Sequence, residues 1–302
     1  MSKAEICLTE NLARDMLGGM RRSDQIVITP TALGRWRHCP QQWRDRYEQR
    51  LGSSQEAGSL AIGILQHVAL EALARGASPG EAGAAVSDAI QGRAWDVRPT
   101  EEQAREALGG ALEVWRLVER LWPGAEVEEV EAEIYVDHPA DPTIRLGGKP
   151  AILLRDRAGR RVLLDYKRRG YLKHSRPIQE VQPEDLYATA QTIRDVQSAI
   201  YAVALREQGR PVDESYLVKS TAGGSRVQIM RTTPPPEVLD LTLETIRGIA
   251  AQMRAPAQPC DRAYPAEGSC FNYGKPCEFS DLCAAEVLGR PTEDLRARLA
   301  RR

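Results

Sequence analysis

Two apolar triplets on either side of a short polar turn, Ile152-Leu153-Leu154 and Val162-Leu163-Leu164 around Ala158-Gly159-Arg160, constrain this chain more than any other feature. Short apolar runs bounded by turn residues predict a β-hairpin with a buried second strand. That strand leads straight into Asp165-Tyr166-Lys167. Side chains alternate along a strand, so Asp165 and Lys167 share one face and Tyr166 takes the other. A carboxylate beside a lysine at a strand end suits a divalent cation. The carboxylate holds the ion, the ion acidifies a water for attack on phosphorus, and the ammonium offsets charge on the phosphoryl oxygens. Acid-x-lysine triplets also arise by chance, so the reading depends on what accompanies this one.

Five landmarks accompany it. Ile28-Thr29-Pro30-Thr31-Ala32-Leu33 precedes Cys39-Pro40, Gly63 precedes His67, and Pro150 opens the hairpin. Gln197 and Tyr201 share a helix face, and Cys270, Cys277 and Cys283 cluster after Gly268. Taken in this order, the landmarks resemble those of the PD-(D/E)xK nucleases, in the RecB-like branch that carries an iron–sulfur cluster, as in CRISPR-adaptation-type or phage-type exonucleases.

The resemblance implies an α/β fold: a central mixed sheet flanked by helices, a helical cap, and a C-terminal cysteine-rich segment. It implies a DNA nuclease acting on single strands or ends with Mg²⁺ or Mn²⁺, held by His67, Asp165 and the Tyr166 backbone carbonyl. Lys167 would stabilise the transition state, Gln197 would orient a phosphate or the attacking water, and Tyr201 would contact the DNA backbone. Cys39, Cys270, Cys277 and Cys283 would hold a [4Fe–4S] cluster. Zinc also takes four thiolates, and spacing does not separate the two. Protein partners in a DNA-processing complex are a further implication.

One landmark is broken. The family pattern places an aspartate after the hairpin's proline, and here Pro150 is followed by Ala151. Loss of that metal ligand implies weakened or abolished cleavage. The survival of His67, Asp165, Lys167, Gln197 and Tyr201 favours a single replacement over gradual decay of a site. The alternative function is a non-catalytic nucleic-acid-binding or scaffolding subunit. A cluster-dependent redox protein would need a substrate motif that the sequence does not contain.

With 41 basic and 42 acidic residues in 302, the net charge of −1 offers a polyanion no global attraction. DNA must be held by local patches, and Arg168, Arg169 and Lys173, interleaved with Tyr171, form one beside the candidate site. No apolar run approaches a membrane span, and residues 1–25 lack the apolar core of a signal peptide. Clustered cysteines without secretion signals point to metal binding in a reducing cytoplasm.

The expected organisation is an N-terminal extension (1–27), one nuclease domain (28–285) with a helical insertion at about 76–125 and a loop-rich cysteine segment at about 260–285, and a tail (286–302). Within it, Thr29 caps a helix starting at Pro30, a second helix follows Pro40, and 59–75 form the His67 helix, on which Glu71 is placed to orient the imidazole. Residues 78–121 read as two helices separated near Pro99. Val127 to Val136 reads as one strand, with Glu129, Glu131 and Glu133 as solvated positions, the alternative being that one of them approaches the metal.

Overall fold

The computed structural model describes residues 25–51, 58–93, 95, 98–168, 175–181, 196–221, 225–255, 271–272 and 275–300. The N-terminal extension up to residue 24, with Cys7, lies outside them, as do Arg169, Tyr171, Lys173, Cys260 and Cys270.

Strand β1 (Ile26–Ile28) leads into α1 (Pro30–His38), where Thr29 Oγ1 accepts the Ala32 N–H at 3.1 Å and Pro30 occupies the first turn. Helix α2 (Pro40–Trp43) continues as a π-helical turn over Arg44–Glu48, so the helix expected after Pro40 is widened rather than regular. Trp43 and Tyr47 still stack, with ring centroids 5.9 Å apart. Helix α3 (Gly58–Ala74) carries His67, and α4 (Pro79–Gly92) and α5 (Glu101–Leu121) each begin at a capping box, Ser78 with Glu81 and Thr100 with Gln103.

The stretch expected to be one strand is two, β2 (Glu126–Val130) and β3 (Ile134–His138), which belong to different sheets. Glu131 breaks it by adopting φ +50, in the left-handed region that side-chain-bearing residues seldom occupy. Strand β4 (Asp141–Gly148) follows, then the hairpin of β5 (Ile152–Arg155) and β6 (Arg161–Arg168), and two-residue β7 (Arg176–Pro177). Beyond these lie α6 (Val196–Glu207), β8 (Glu214–Ser220), β9 (Arg226–Arg231) and α7 (Pro236–Arg254). The cysteine segment, expected to be loop-rich, holds a small hairpin, β10 (Phe271–Asn272) and β11 (Lys275–Pro276), and helix α8 (Ser280–Val287). The expected tail contains α9 (Glu293–Ala300).

The strands form not one central sheet but a six-stranded mixed sheet, ordered β2-β5-β6-β8-β9-β7, and a three-stranded sheet, β1-β4-β3. In the larger sheet β5 and β6 pair antiparallel with Ile152 opposite Leu164, and β6 pairs parallel with β8. The β5–β6 turn closes because Asp156 Oδ1 accepts the Ala158 and Arg160 N–H groups, both at 2.9 Å, while Gly159 supplies φ +79.

Strand alternation divides the core. Ile152, Leu154, Val162, Leu164 and Tyr166 pack with Leu65 of α3 and Ala111, Val114 and Leu117 of α5. Leu153 and Leu163 face the other way, into a core with Ile144 and Leu146 of β4, Leu33 of α1, Ile200 and Val203 of α6, and Ile246 of α7. Each such leucine contributes about 2 kcal/mol by leaving water. The hairpin is therefore held from both faces, and its far end, Asp165 to Lys167, is fixed between layers. Gly147 brings β3 and β4 of the smaller sheet close together: a Cβ there would lie 1.8 Å from the Ile134 carbonyl oxygen.

Candidate active site

At the end of β6 the alternation does what the sequence predicts. Asp165 is buried, and the Lys167 ammonium stands 3.1 Å from its Oδ2. Tyr166 turns into the α3 side, where its ring meets His67 edge-on at 5.5 Å and its hydroxyl bonds the Ser220 hydroxyl at 2.5 Å. Burial pushes the Tyr166 phenol up to about 12.

His67 takes a partner the sequence did not suggest. Its Nδ1 lies 2.7 Å from Oε1 of Glu131, 64 residues away, whereas Glu71 pairs with Arg75 at 2.7 Å. The second Glu131 oxygen stands 3.5 Å from the Lys149 ammonium, and the Glu131 N–H donates to the Ala151 carbonyl at 2.9 Å. Glu131 is thus a site residue rather than a solvated strand position. Its one legible signal was its place in an acidic run, which spacing favoured as solvated while leaving open that one of the three glutamates approaches a metal.

Helix α6 closes the far side. Gln197 Nε2 donates to the Tyr201 hydroxyl, which donates to the Lys149 carbonyl, both at 3.4 Å. Tyr201 lies so close over Gly148 that a Cβ there would come within 2.9 Å of its ring. Burial first, and then the negative charge of Asp165, push the Tyr201 phenol well above the ordinary tyrosine range, with Glu131 adding to the effect. Tyr201 thus bonds Gln197 on one side and the backbone of Lys149, the partner of Glu131, on the other, within reach of the Asp165 charge.

A sequence model described as the PD-(D/E)XK nuclease superfamily matches residues 27–284. The chain belongs to the PD-(D/E)XK nuclease superfamily. A search of curated proteins finds no match. Among solved structures, a protein of Eubacterium rectale assigned provisionally as an exonuclease aligns over 88% of this chain and 96% of its own, with 10% identity and a TM-score of 0.48. The protein SSO0001 aligns over 90% and 98%, with 14% identity and a TM-score of 0.37. The family assignment rests on the sequence model.

Against the PD-(D/E)XK pattern, the place of the missing aspartate is informative. Ala151 is buried just ahead of β5, beside the backbone of Glu131. The donors nearby, two carboxylates and an imidazole, have the chemistry that Mg²⁺ or Mn²⁺ takes. Yet among the described residues no three His, Cys, Asp or Glu side chains lie together closely enough to hold an ion. The donor types fit the metal, and the set falls short of one.

Of the expected DNA contacts, Arg168 is largely buried and paired with Glu106 of α5 at 2.5 Å, so its charge is spent within the fold. Of the four candidate cluster ligands, Cys39, Cys277 and Cys283 are described and form no disulfide. Gln42 joins two of them: its N–H approaches Cys39 Sγ at 3.4 Å and its side-chain amide Cys277 Sγ at 3.8 Å. Glu278 lies 3.3 Å from Arg35 and 3.3 Å from Arg46, which ties the cysteine segment to α1 and the π-helical turn.

Proposed function

We propose that this chain is a metal-dependent DNA nuclease acting on single strands or DNA ends, with its activity held low by Ala151. The observation that carries this reading is the placement of Asp165 and Lys167 on one face of a buried strand, with Glu131 and Tyr201 gathered at its end. Nucleases of this superfamily usually use Mg²⁺ or Mn²⁺. Asp165, the Tyr166 carbonyl and His67 would hold the ion, with Glu131 as a further carboxylate. When bound, such an ion supplies an acidic water and positive charge at the phosphate.

The protein's own groups account for the rest. The Lys167 ammonium would offset charge growing on a phosphate oxygen, and the Tyr201 hydroxyl, oriented by Gln197, would contact the DNA backbone by turning its one O–H away from the Lys149 carbonyl. Arg169 and Lys173 are the basic residues left to track the DNA backbone. Cys39, Cys270, Cys277 and Cys283 would hold a four-thiolate centre, a [4Fe–4S] cluster with Zn²⁺ as the alternative, and to do so the three described cysteines must draw closer together than they stand here. The N–H donors of Gln42 toward two of the sulfurs support this, because such donors offset thiolate charge.

The test is Ala151→Asp, assayed with labelled single- and double-stranded DNA in Mg²⁺ or Mn²⁺. Metal-dependent cleavage should appear or rise at least about tenfold, because a third carboxylate completes the oxygen shell. A folded, DNA-binding variant without metal-dependent cleavage overturns the nuclease reading. The buried alanine itself favours the second reading, a non-catalytic DNA-binding subunit, for which both proteins bind and neither cleaves.

A further inference from the structure

Lys149 has no part in the reaction outlined above, yet it is held at both ends. Its carbonyl accepts the Tyr201 hydroxyl at 3.4 Å, and its ammonium, on a side chain 31% exposed, lies 3.5 Å from Glu131 Oε2. Glu131 links this lysine to the position that lacks a carboxylate, because its side chain faces the Lys149 ammonium while its N–H donates to the Ala151 carbonyl at 2.9 Å.

Among the described residues, each of the two carboxylates has a lysine head beside it, Lys149 3.5 Å from Glu131 and Lys167 3.1 Å from Asp165. A divalent ion seeking Glu131 must first displace Lys149. A phosphodiester, which is itself anionic, meets no such competitor and can draw the flexible lysine head toward itself.

We propose that Lys149 is a tethered cation that occupies the candidate centre against a divalent ion and grips a backbone phosphate of DNA in its place. The inference rests on the site reading given above, though not on cleavage.

Three forms of the full chain decide it: the parent, Lys149→Met and Lys149→Arg. Mn²⁺ alone is titrated into each, with free ion followed by electron paramagnetic resonance, and a fluorescent oligonucleotide is titrated separately in EDTA. Lys149→Met should tighten Mn²⁺ binding about two- to fivefold, the scale of a partly exposed ion pair, and weaken oligonucleotide binding by a similar factor. Lys149→Arg should leave both near the parent. Misfolding cannot tighten one ligand while loosening the other.

Absence of tightening, whether Mn²⁺ binds equally or not at all, overturns the competition with metal. Unchanged oligonucleotide affinity overturns the phosphate grip. Glu131→Gln provides a second check, since releasing the lysine should maintain or raise DNA affinity in EDTA, and a fall counts against the proposal. None of these arms measures cleavage, so the nuclease reading stands or falls separately on Ala151→Asp.

Discussion

Glu131 concentrates the chemistry that a residue-by-residue reading can miss. Its φ of +50 costs on the order of 1 kcal/mol, and the contacts to His67 and Lys149 hold it there. Glu131→Gln keeps the shape and removes the charge. In the Ala151→Asp background it should weaken Mn²⁺ binding about tenfold, measured by titration calorimetry, while shifting thermal stability by less than about 1 kcal/mol. Equal Mn²⁺ affinity would place the ion away from Glu131. Asp165 and Lys167 were legible from the sequence because strand alternation is local. Glu131 was not, because its partner His67 lies 64 residues upstream and an acidic run reads equally well as solvated surface.

The elements repeat this division between local and remote signals. The proline start at Pro30 and the glycine turn at Gly159 act within a few residues and announced their elements, whereas the equally local capping boxes at Ser78 and Thr100 fixed helix starts that periodicity alone had marked. The separation of β2 from β3, and the three-stranded sheet that sets Ile26 opposite Ile144, depend on pairings no local pattern encodes. Strand β2 is also secured electrostatically. Glu128 accepts from Arg161 Nε at 2.7 Å and pairs with Arg155, chiefly the Arg161 bond holding its carboxyl below the usual range. A depressed carboxylate stabilises the fold above its unfolded pKa of about 4.3 and loses that contribution as pH falls through the folded value. Glu128→Gln should therefore cost about 1 kcal/mol at pH 7 and almost nothing by about pH 3, read from urea denaturation across that range. A cost independent of pH would show that packing, not charge, secures the strand.

At the scale of the whole molecule, no helix among the described residues is long and apolar enough to cross a membrane. The proposed cluster would join distant parts of the chain, and on that reading anaerobically purified protein should be brown, with about four irons and four sulfides per chain. Cys39→Ser, Cys270→Ser, Cys277→Ser or Cys283→Ser should each bleach it and lower the melting temperature, whereas Cys7→Ser and Cys260→Ser should do neither. Stoichiometric zinc without sulfide would reject the cluster and keep the four-thiolate site. The link between Arg46 and Glu278 spans 232 residues, and it bears on how the protein is made. At about 5–20 residues per second, roughly 10–50 s separate synthesis of the two partners on the ribosome. Through that interval Arg35 and Arg46 emerge with Glu278 not yet made, so the helices that carry them must wait on the nascent chain for that segment to be translated.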